Sequence, residues 1–403
     1  MAIICYDNCN MAIRVGLQIE KSRAHGRLML EGIASYALSQ NDWRFDLLDP
    51  DDLVDARLIS QYDGLIVRVM DDRTAAALAK SKKPVIDTYG RVDSPLFDTI
   101  RLDDKAIASM AADCFADHRF ENCAFCGFAG PRFSAARCEA FVDAVRRSGR
   151  RCFAYEGEES SPLADTFFRN ERTDRIPDAK ALAAWIASLP KPVAVFCCND
   201  IRAFQLPRVC EETGVHVPDD VAVLGVDNDV LLCTFTHPPL SSIDTDPSSL
   251  GRRAGEMLAA RLEGRARAPR IVSHPPRHVI ERASTDIYPF RTPWMSDAMV
   301  YIRRNVAKGI SARDVIERLG YSHTAVNNAF RAELGTSVHQ EILRQRLALA
   351  CSLLKDTDHS AAKIASETGF LNPQYFSRAF STAFGKSPDA WRKHEAVMHG
   401  LDA

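Results

Sequence analysis

Along residues 14–250, short apolar runs alternate with longer stretches in which apolar residues return every three or four positions. The runs Val15–Ile19, Leu65–Val69, Val85–Asp87, Ala124–Gly127, Val193–Cys197 and Val221–Val226 have the length and apolar content of buried strands. Between them, Gly26–Leu38, Lys105–Ala116, Ala135–Ser148, Ala179–Leu189, Ile201–Thr213 and Ser248–Leu262 carry helical periodicity. Strands separated by helices of this length predict βαβ units and a parallel sheet covered on both faces. Ligands of such sheets sit beyond the carboxyl ends of the strands. There the sequence places Glu20 after the first run, Asn199-Asp200 after the fifth and Asp227-Asn228 after the sixth. Carboxylates and amides gathered at one crevice can bond several hydroxyls of a sugar or polyol. The same residues also suit the caps of the helices that follow them, and the pattern leaves both roles open.

The pattern changes near residue 283. Ser284–Pro293 (STDIYPFRTP) has two prolines and no helical period, so residues 284–292 are expected to form a linker. From Pro293 onward only helical periodicity remains, which predicts an all-α domain over 293–396 and a short tail over 397–403. Two segments of this domain share one layout. Ala312–Leu319 leads through Gly320-Tyr321 to a helix capped by Ser322, and Ala361–Thr368 leads through Gly369-Phe370-Leu371 to a helix capped by Asn372 with Pro373 at its first position. Each is a predicted helix-turn-helix, a unit whose second helix can enter the major groove of DNA.

Between the two units, Val338–Leu354 reads as one helix with Leu343, Leu347, Ala350 and Leu354 as its buried stripe. A helix of about 20 residues is roughly 30 Å long, close to the ~34 Å of one DNA turn. Outward positions are His323, Thr324, Asn327, Asn328 and Arg331 on the first reader, and Gln374, Tyr375, Ser377 and Arg378 on the second. Arginine can hold guanine by two hydrogen bonds, and asparagine or glutamine can hold adenine. Phe330, Phe376, Phe380 and Phe384 recur at helical spacing and are expected in the core.

Composition narrows the function. The 403 residues are 46% hydrophobic and 26% charged, enough for two or three globular domains. No apolar run is long enough to span a bilayer, and the N-terminus has no basic segment followed by an apolar one. The expected compartment is therefore the cytoplasm, with no membrane partner. Residues 1–10 fit no domain pattern and are expected to be an unstructured leader, which makes Met11 an alternative start. The twelve cysteines are scattered, and the pair Cys123 and Cys126 lacks a second ligand pair at zinc-finger spacing, so no metal site is expected. From Pro293 onward, 14 Lys and Arg stand against 11 Asp and Glu, whereas the preceding residues have 37 against 42. That mild basic bias suits a tail that meets phosphates. Glycine-rich nucleotide loops, nucleophile elbows and zinc-protease signatures are missing, so neither a cofactor nor an enzyme activity is expected.

Two stretches resemble known families. Lys363–Phe370, then Asn372–Phe380 (NPQYFSRAF), Phe384–Pro388 (FGKSP) and Trp391-Arg392 resemble the signature of AraC/XylS regulators. That resemblance spans Pro293 to about His394 and implies a DNA-reading unit with Thr324, Asn327 and Asn328 as contacts of the first helix and Gln374 and Arg378 as contacts of the second. Phe196–Asp200 (FCCND), Gly214–Gly225 (GVHVPDDVAVLG), Asp227-Asn228 and Pro238–Ile243 (PPLSSI) resemble LacI/GalR repressors and sugar-binding proteins. This second resemblance implies a periplasmic-binding-protein-like sensor over 11–283, with two α/β subdomains hinged around a sugar cleft. The chain would cross between them near residues 104, 237 and 266. Its implied ligand contacts are Arg137, Asn199 and Asp227, with Glu20 and Asp103 as further candidates. For Arg137, a salt bridge on its own helix is the competing role. Together the two resemblances imply a homodimeric promoter-binding activator answering to a small sugar, D-xylose or a related pentose first, with RNA polymerase as a possible further partner.

Overall fold

The computed structural model describes residues 12–40, 43–90, 97–157, 176–265, 268–287, 290 and 292–398. The expected leader and most of the expected tail lie outside the described residues. The chain divides into two compact units, Met1–Thr285 and Asp286–Ala403.

The first unit contains two six-stranded sheets. One holds β1 (Ile13–Gln18), β2 (Trp43–Leu47), β3 (Gly64–Val67), β4 (Val85–Asp87), β5 (Asp98–Leu102) and β11 (Ile271–His274) in the order β11-β5-β4-β3-β1-β2. The other holds β6 (Asn122–Cys126), β7 (Arg151–Tyr155), β8 (Val193–Cys197), β9 (Val221–Val226), β10 (Ser241–Asp244) and β12 (His278–Ile280) in the order β12-β10-β9-β8-β6-β7. All pairings are parallel except β10 with β12, which is antiparallel.

Each of the six apolar runs forms a strand, and each of the six periodic stretches forms a helix. The other six strands escaped the pattern for a physical reason. Four are sheet edges (β2, β7, β11 and β12), and their residues are half-exposed rather than continuously apolar. The other two, β5 (DTIRL) and β10 (SSID), lie next to edges and are polar in sequence.

The two subdomains exchange the chain at three places. β5 of the first sheet leads into the helix Asp104–Asp117, which packs on the second sheet's side against Arg132–Arg147. β10 of the second sheet leads into Pro247–Leu262, which packs against Ala24–Gln40 of the first subdomain. β11 then hands over to β12. The first crossing lies where expected near residue 104. The others lie at 245–246 and 275–277 rather than at 237 and 266, because the chain first adds β10 to the second sheet and then β11 to the first before it leaves each. Hydrogen bonds tie the crossings together: Asp103 N donates to His274 O at 2.8 Å, and Arg277 N to Asp244 O at 2.8 Å.

Ser284 and Thr285, at the start of the expected linker, are instead buried against the second sheet. Ser284 Oγ donates to Val223 O at 2.6 Å, and Ser241 N donates to Ser284 Oγ at 2.8 Å. Cys123, Cys126, Cys197 and Cys198 are free, buried thiols, and Cys126 and Cys197 belong to one apolar core of the second sheet.

The second unit is helical: Pro293–Asn305, Ala312–Leu319, His323–Leu334, Val338–Asp356, Ala361–Glu367, Pro373–Phe384 and Pro388–Met398. It has two cores. Met295, Met299, Ile302, Val315, Val326 and Phe330 form the first, and Ile364, Phe370, Phe376 and Phe380 form the second. The long helix belongs to both, giving Val338 and Ile342 to the first core and Leu347, Ala350 and Leu354 to the second. Leu343 is only partly buried, and Phe384 is 40% exposed although its ring lies 4.5 Å from that of Phe380. Ser322 and Asn372 cap the reader helices as expected, Ser322 accepting from Ala325 N and Asn372 from Gln374 N and Tyr375 N.

Candidate functional site

A cavity of about 130 Å³ in the first unit is lined from both subdomains at the carboxyl ends of the strands. From the first come Glu20, His25, Arg68 and Tyr89; from the second come Asp104, Phe133, Arg137, Asn199 and Asp227.

Arg137 lies on Arg132–Arg147 and is 3% exposed. Its Nε donates to Asp104 Oδ1 at 2.9 Å, and Nη1 donates to Cys198 O. The guanidinium also lies over the Phe133 ring, 5.1 Å from its centroid. Nη2 makes no hydrogen bond among the described residues. The ion pair is therefore not a surface pair on Arg137's own helix but a buried one to the neighbouring helix, and it holds the planar fork fixed in the cavity wall, where the remaining edge can serve a ligand.

Asn199 both caps and lines. Its Oδ1 accepts from Arg202 N at 3.0 Å, while the residue faces the cavity. Its neighbour Asp200 also borders the cavity but is 2% exposed, accepting from Ser242 Oγ at 2.6 Å and Asp229 N at 2.7 Å. Burial, reinforced by the nearby Asp227, pushes the Asp200 carboxyl well above the usual range.

Asp227 sits in a left-handed conformation at φ 104°, directly after β9. Its side chain is 26% exposed, and Oδ1 lies 3.7 Å from His25 Nδ1. Burial pushes its carboxyl up to about 6, against the pull of Arg137 and Arg68. His25 is pushed down to about 3, first by burial and then by Arg68, Arg137 and His274, so it is neutral near pH 7.

Glu20 also lines the cavity, but its Oε1 accepts from Ser22 N at 2.6 Å. Asp103, expected as a ligand contact, is not among the lining residues, and its carboxylate caps the next helix by accepting from Ala106 N at 3.0 Å. The adjacent Asp104 faces the cavity instead.

His25, Arg68, Tyr89, Asp104 and Phe133 line the cavity without being expected there from the sequence. Arg68 follows β3 and Tyr89 follows β4, so the strand-end rule that selected Glu20 covers both. His25 and Phe133 lie in the first turns of helices and carry no comparable signal.

In the second unit, residues 321–330 and 371–380 run through the same succession of exposed and buried positions. Thr324, Asn328, Arg331, Gln374, Tyr375 and Arg378 are exposed, and Asn327 and Ser377 are half-exposed beside them. Val326 and Phe330 on one helix, and Phe376 and Phe380 on the other, are fully buried. Each reader thus turns a polar face outward. Asn327 is partly engaged already, its Nδ2 donating to His323 O at 3.0 Å. Tyr375 rests on Phe370, with ring centroids 5.9 Å apart. The guanidinium groups of Arg331 and Arg378 make no hydrogen bond among the described residues.

Comparison with known proteins agrees with both halves. Residues 112–285 match the periplasmic binding protein-like domain family, and residues 315–394 match a helix-turn-helix domain family. The chain is 28% identical over 390 residues to the xylose operon regulatory protein of Escherichia coli (strain K12), covering 94% of this chain and 96% of that one. It is 26% identical over 389 residues to the protein of the same name from Haemophilus influenzae, covering 94% and 98%. A solved xylose-binding transcription activator aligns over 94% of this chain and 97% of its own, with a TM-score of 0.57 and 27% identity. The chain therefore joins a periplasmic-binding-protein-like domain to a helical domain with two helix-turn-helix units, and over nearly its whole length it is similar to the xylose operon regulatory proteins built in that order.

Proposed function

We propose that this chain is a cytoplasmic transcription activator that binds a pentose, D-xylose first, in the cavity of its first unit and reads promoter DNA with its second. The observation that carries the sugar half is the juxtaposition of a fixed arginine fork, an open carboxylate and an amide in one cavity drawn from two subdomains. Arg137 would bond a pair of sugar oxygens, Asp227 would accept from hydroxyls, and Asn199 would donate or accept through its amide. The rings of Tyr89 and Phe133, each with a guanidinium over it (Arg68 at 4.8 Å and Arg137 at 5.1 Å from the centroid), add flat wall to the cavity.

A ligand touching both subdomains favours the conformation in which they are closest, by its differential affinity for that state. In a homodimer, such closure changes the spacing of the two DNA-reading units, whose joint engagement raises their effective concentration for each other on DNA. Thr324, Asn327, Asn328, Arg331, Gln374, Tyr375, Ser377 and Arg378 are the proposed DNA contacts. RNA polymerase is the proposed partner of the promoter-bound dimer.

Calorimetric titration of the full chain with a panel of monosaccharides tests the sensor reading. Saturable binding of one pentose, lost in Asp227→Ala, is the expected result. Binding only of a non-pentose would replace the effector, and binding of no sugar would overturn the reading of the cavity.

A further inference from the structure

We propose that Cys114, His118 and Glu281 form a binding site for a divalent transition-metal ion of the zinc class. Cys114 and His118 lie one turn apart on and just beyond the helix Asp104–Asp117, a spacing that puts both on one face. Glu281 follows β12, which packs against that helix. One ligand atom from each of the three lies within 4.8 Å of the others, and His118 Nε2 is 3.3 Å from Glu281 Oε2. Around tetrahedral zinc, with bonds of about 2.0–2.3 Å, ligand atoms stand roughly 3.3–3.8 Å apart. The His–Glu edge already has that length, and the thiol has to move in by no more than about 1 Å.

Chemistry and access agree with the geometry. A thiolate, a neutral imidazole and a carboxylate offset the charge of a divalent ion, and the sulfur and nitrogen ligands select zinc over magnesium or calcium. Cys114 and His118 are buried at 7% and 2% exposure, whereas Glu281 is at the surface. An ion can enter on that side and keep water as its fourth ligand. The sequence hides the site because Glu281 is remote in the chain from the two helical ligands.

The location links the ion to the cavity. The helix that carries Cys114 begins with Asp104, the partner of Arg137. Next to Glu281, Arg282 donates to Asn228 Oδ1 at 2.7 Å and Leu240 O at 2.6 Å, fastening the turn that holds Asp227. An ion here would clamp together two elements that position cavity residues.

Cobalt(II) is the direct probe, titrated into the reduced full-length chain. The expected result is a thiolate-to-cobalt charge-transfer band that saturates at one ion, is displaced by zinc and is absent in Cys114→Ser. Glu281→Gln, a surface change that leaves the core intact, should weaken cobalt binding at least about tenfold. If Cys114→Ser fails to fold, Glu281→Gln decides alone. No band, a band unchanged in Cys114→Ser, or full affinity in Glu281→Gln would overturn the site. A band unchanged in Cys114→Ser would place the ion on other members of the chain's twelve cysteines.

Discussion

Asp227 combines two costs that a purely structural residue would not carry. Its backbone occupies the left-handed region at φ 104°, and its carboxyl is raised from the ordinary 3.8 to about 6. A raised carboxyl holds its proton in the folded chain where the unfolded chain releases it. The associated stability is fully present below about 3.8 and is lost as pH rises through about 6. A sugar hydroxyl that donates to Asp227 needs the ionised form, so sugar affinity moves the opposite way. We expect affinity to fall about tenfold between pH 7 and pH 5, and to become flat with pH in Asp227→Asn. Asparagine also tolerates positive φ, so this variant should melt no lower than the parent at pH 7 without sugar, while binding sugar more weakly. Calorimetry across the pH range and a melting curve check both halves. A variant that keeps full affinity and the parental pH profile would remove Asp227 from the site.

At this scale the sequence was informative where a residue follows an apolar strand. Asn199, Asp227 and Glu20 were found that way and line the cavity. It failed by one residue at Asp103, because cap and first helical position are chemically alike in Asp103-Asp104, and only the start of the helix separates the capping carboxylate from the one facing the cavity.

Among the elements, the two helix-turn-helix units test how much a turn depends on its glycine. Gly320 and Gly369 have nearly the same backbone, with φ of 71° and 77°. Around Gly320 a methyl group would meet nothing within 4 Å, whereas at Gly369 it would stand 2.2 Å from Val306 O and 3.0 Å from Gly309 Cα. Gly320→Ala should therefore cost only the left-handed penalty, about 1–2 kcal/mol. Gly369→Ala must also displace backbone and should cost on the order of 3 kcal/mol or more. Urea unfolding followed by the helical circular dichroism signal compares them. Equal losses would mean that the packing of the turn around Gly369 is not as described.

The helices of this unit were legible because caps, glycines and apolar period agree at each end. Phe384 shows the limit: its spacing matches the core phenylalanines, but it is the last helical residue before Gly385 and stays 40% exposed. In the first unit, legibility followed burial. Central strands announced themselves by apolar runs, while the edge strands and the polar β5 and β10 beside them did not, and two of the three crossings follow such strands, β10 and β11.

For the whole molecule, the central claim is that one chain couples sugar in one unit to DNA affinity in the other. Each unit has its own core, so each activity could exist without the coupling. By linkage, a sugar that changes DNA affinity must have its own affinity changed by DNA to the same degree. The deciding measurement is the affinity of the full-length chain for a duplex it has itself selected from a randomised pool, with and without a saturating concentration of the pentose that binds. The account predicts a change of at least about fivefold, a coupling of roughly 1 kcal/mol or more, abolished in Asp227→Ala. An affinity that is the same at every sugar concentration, in a chain that demonstrably binds both ligands, would contradict it.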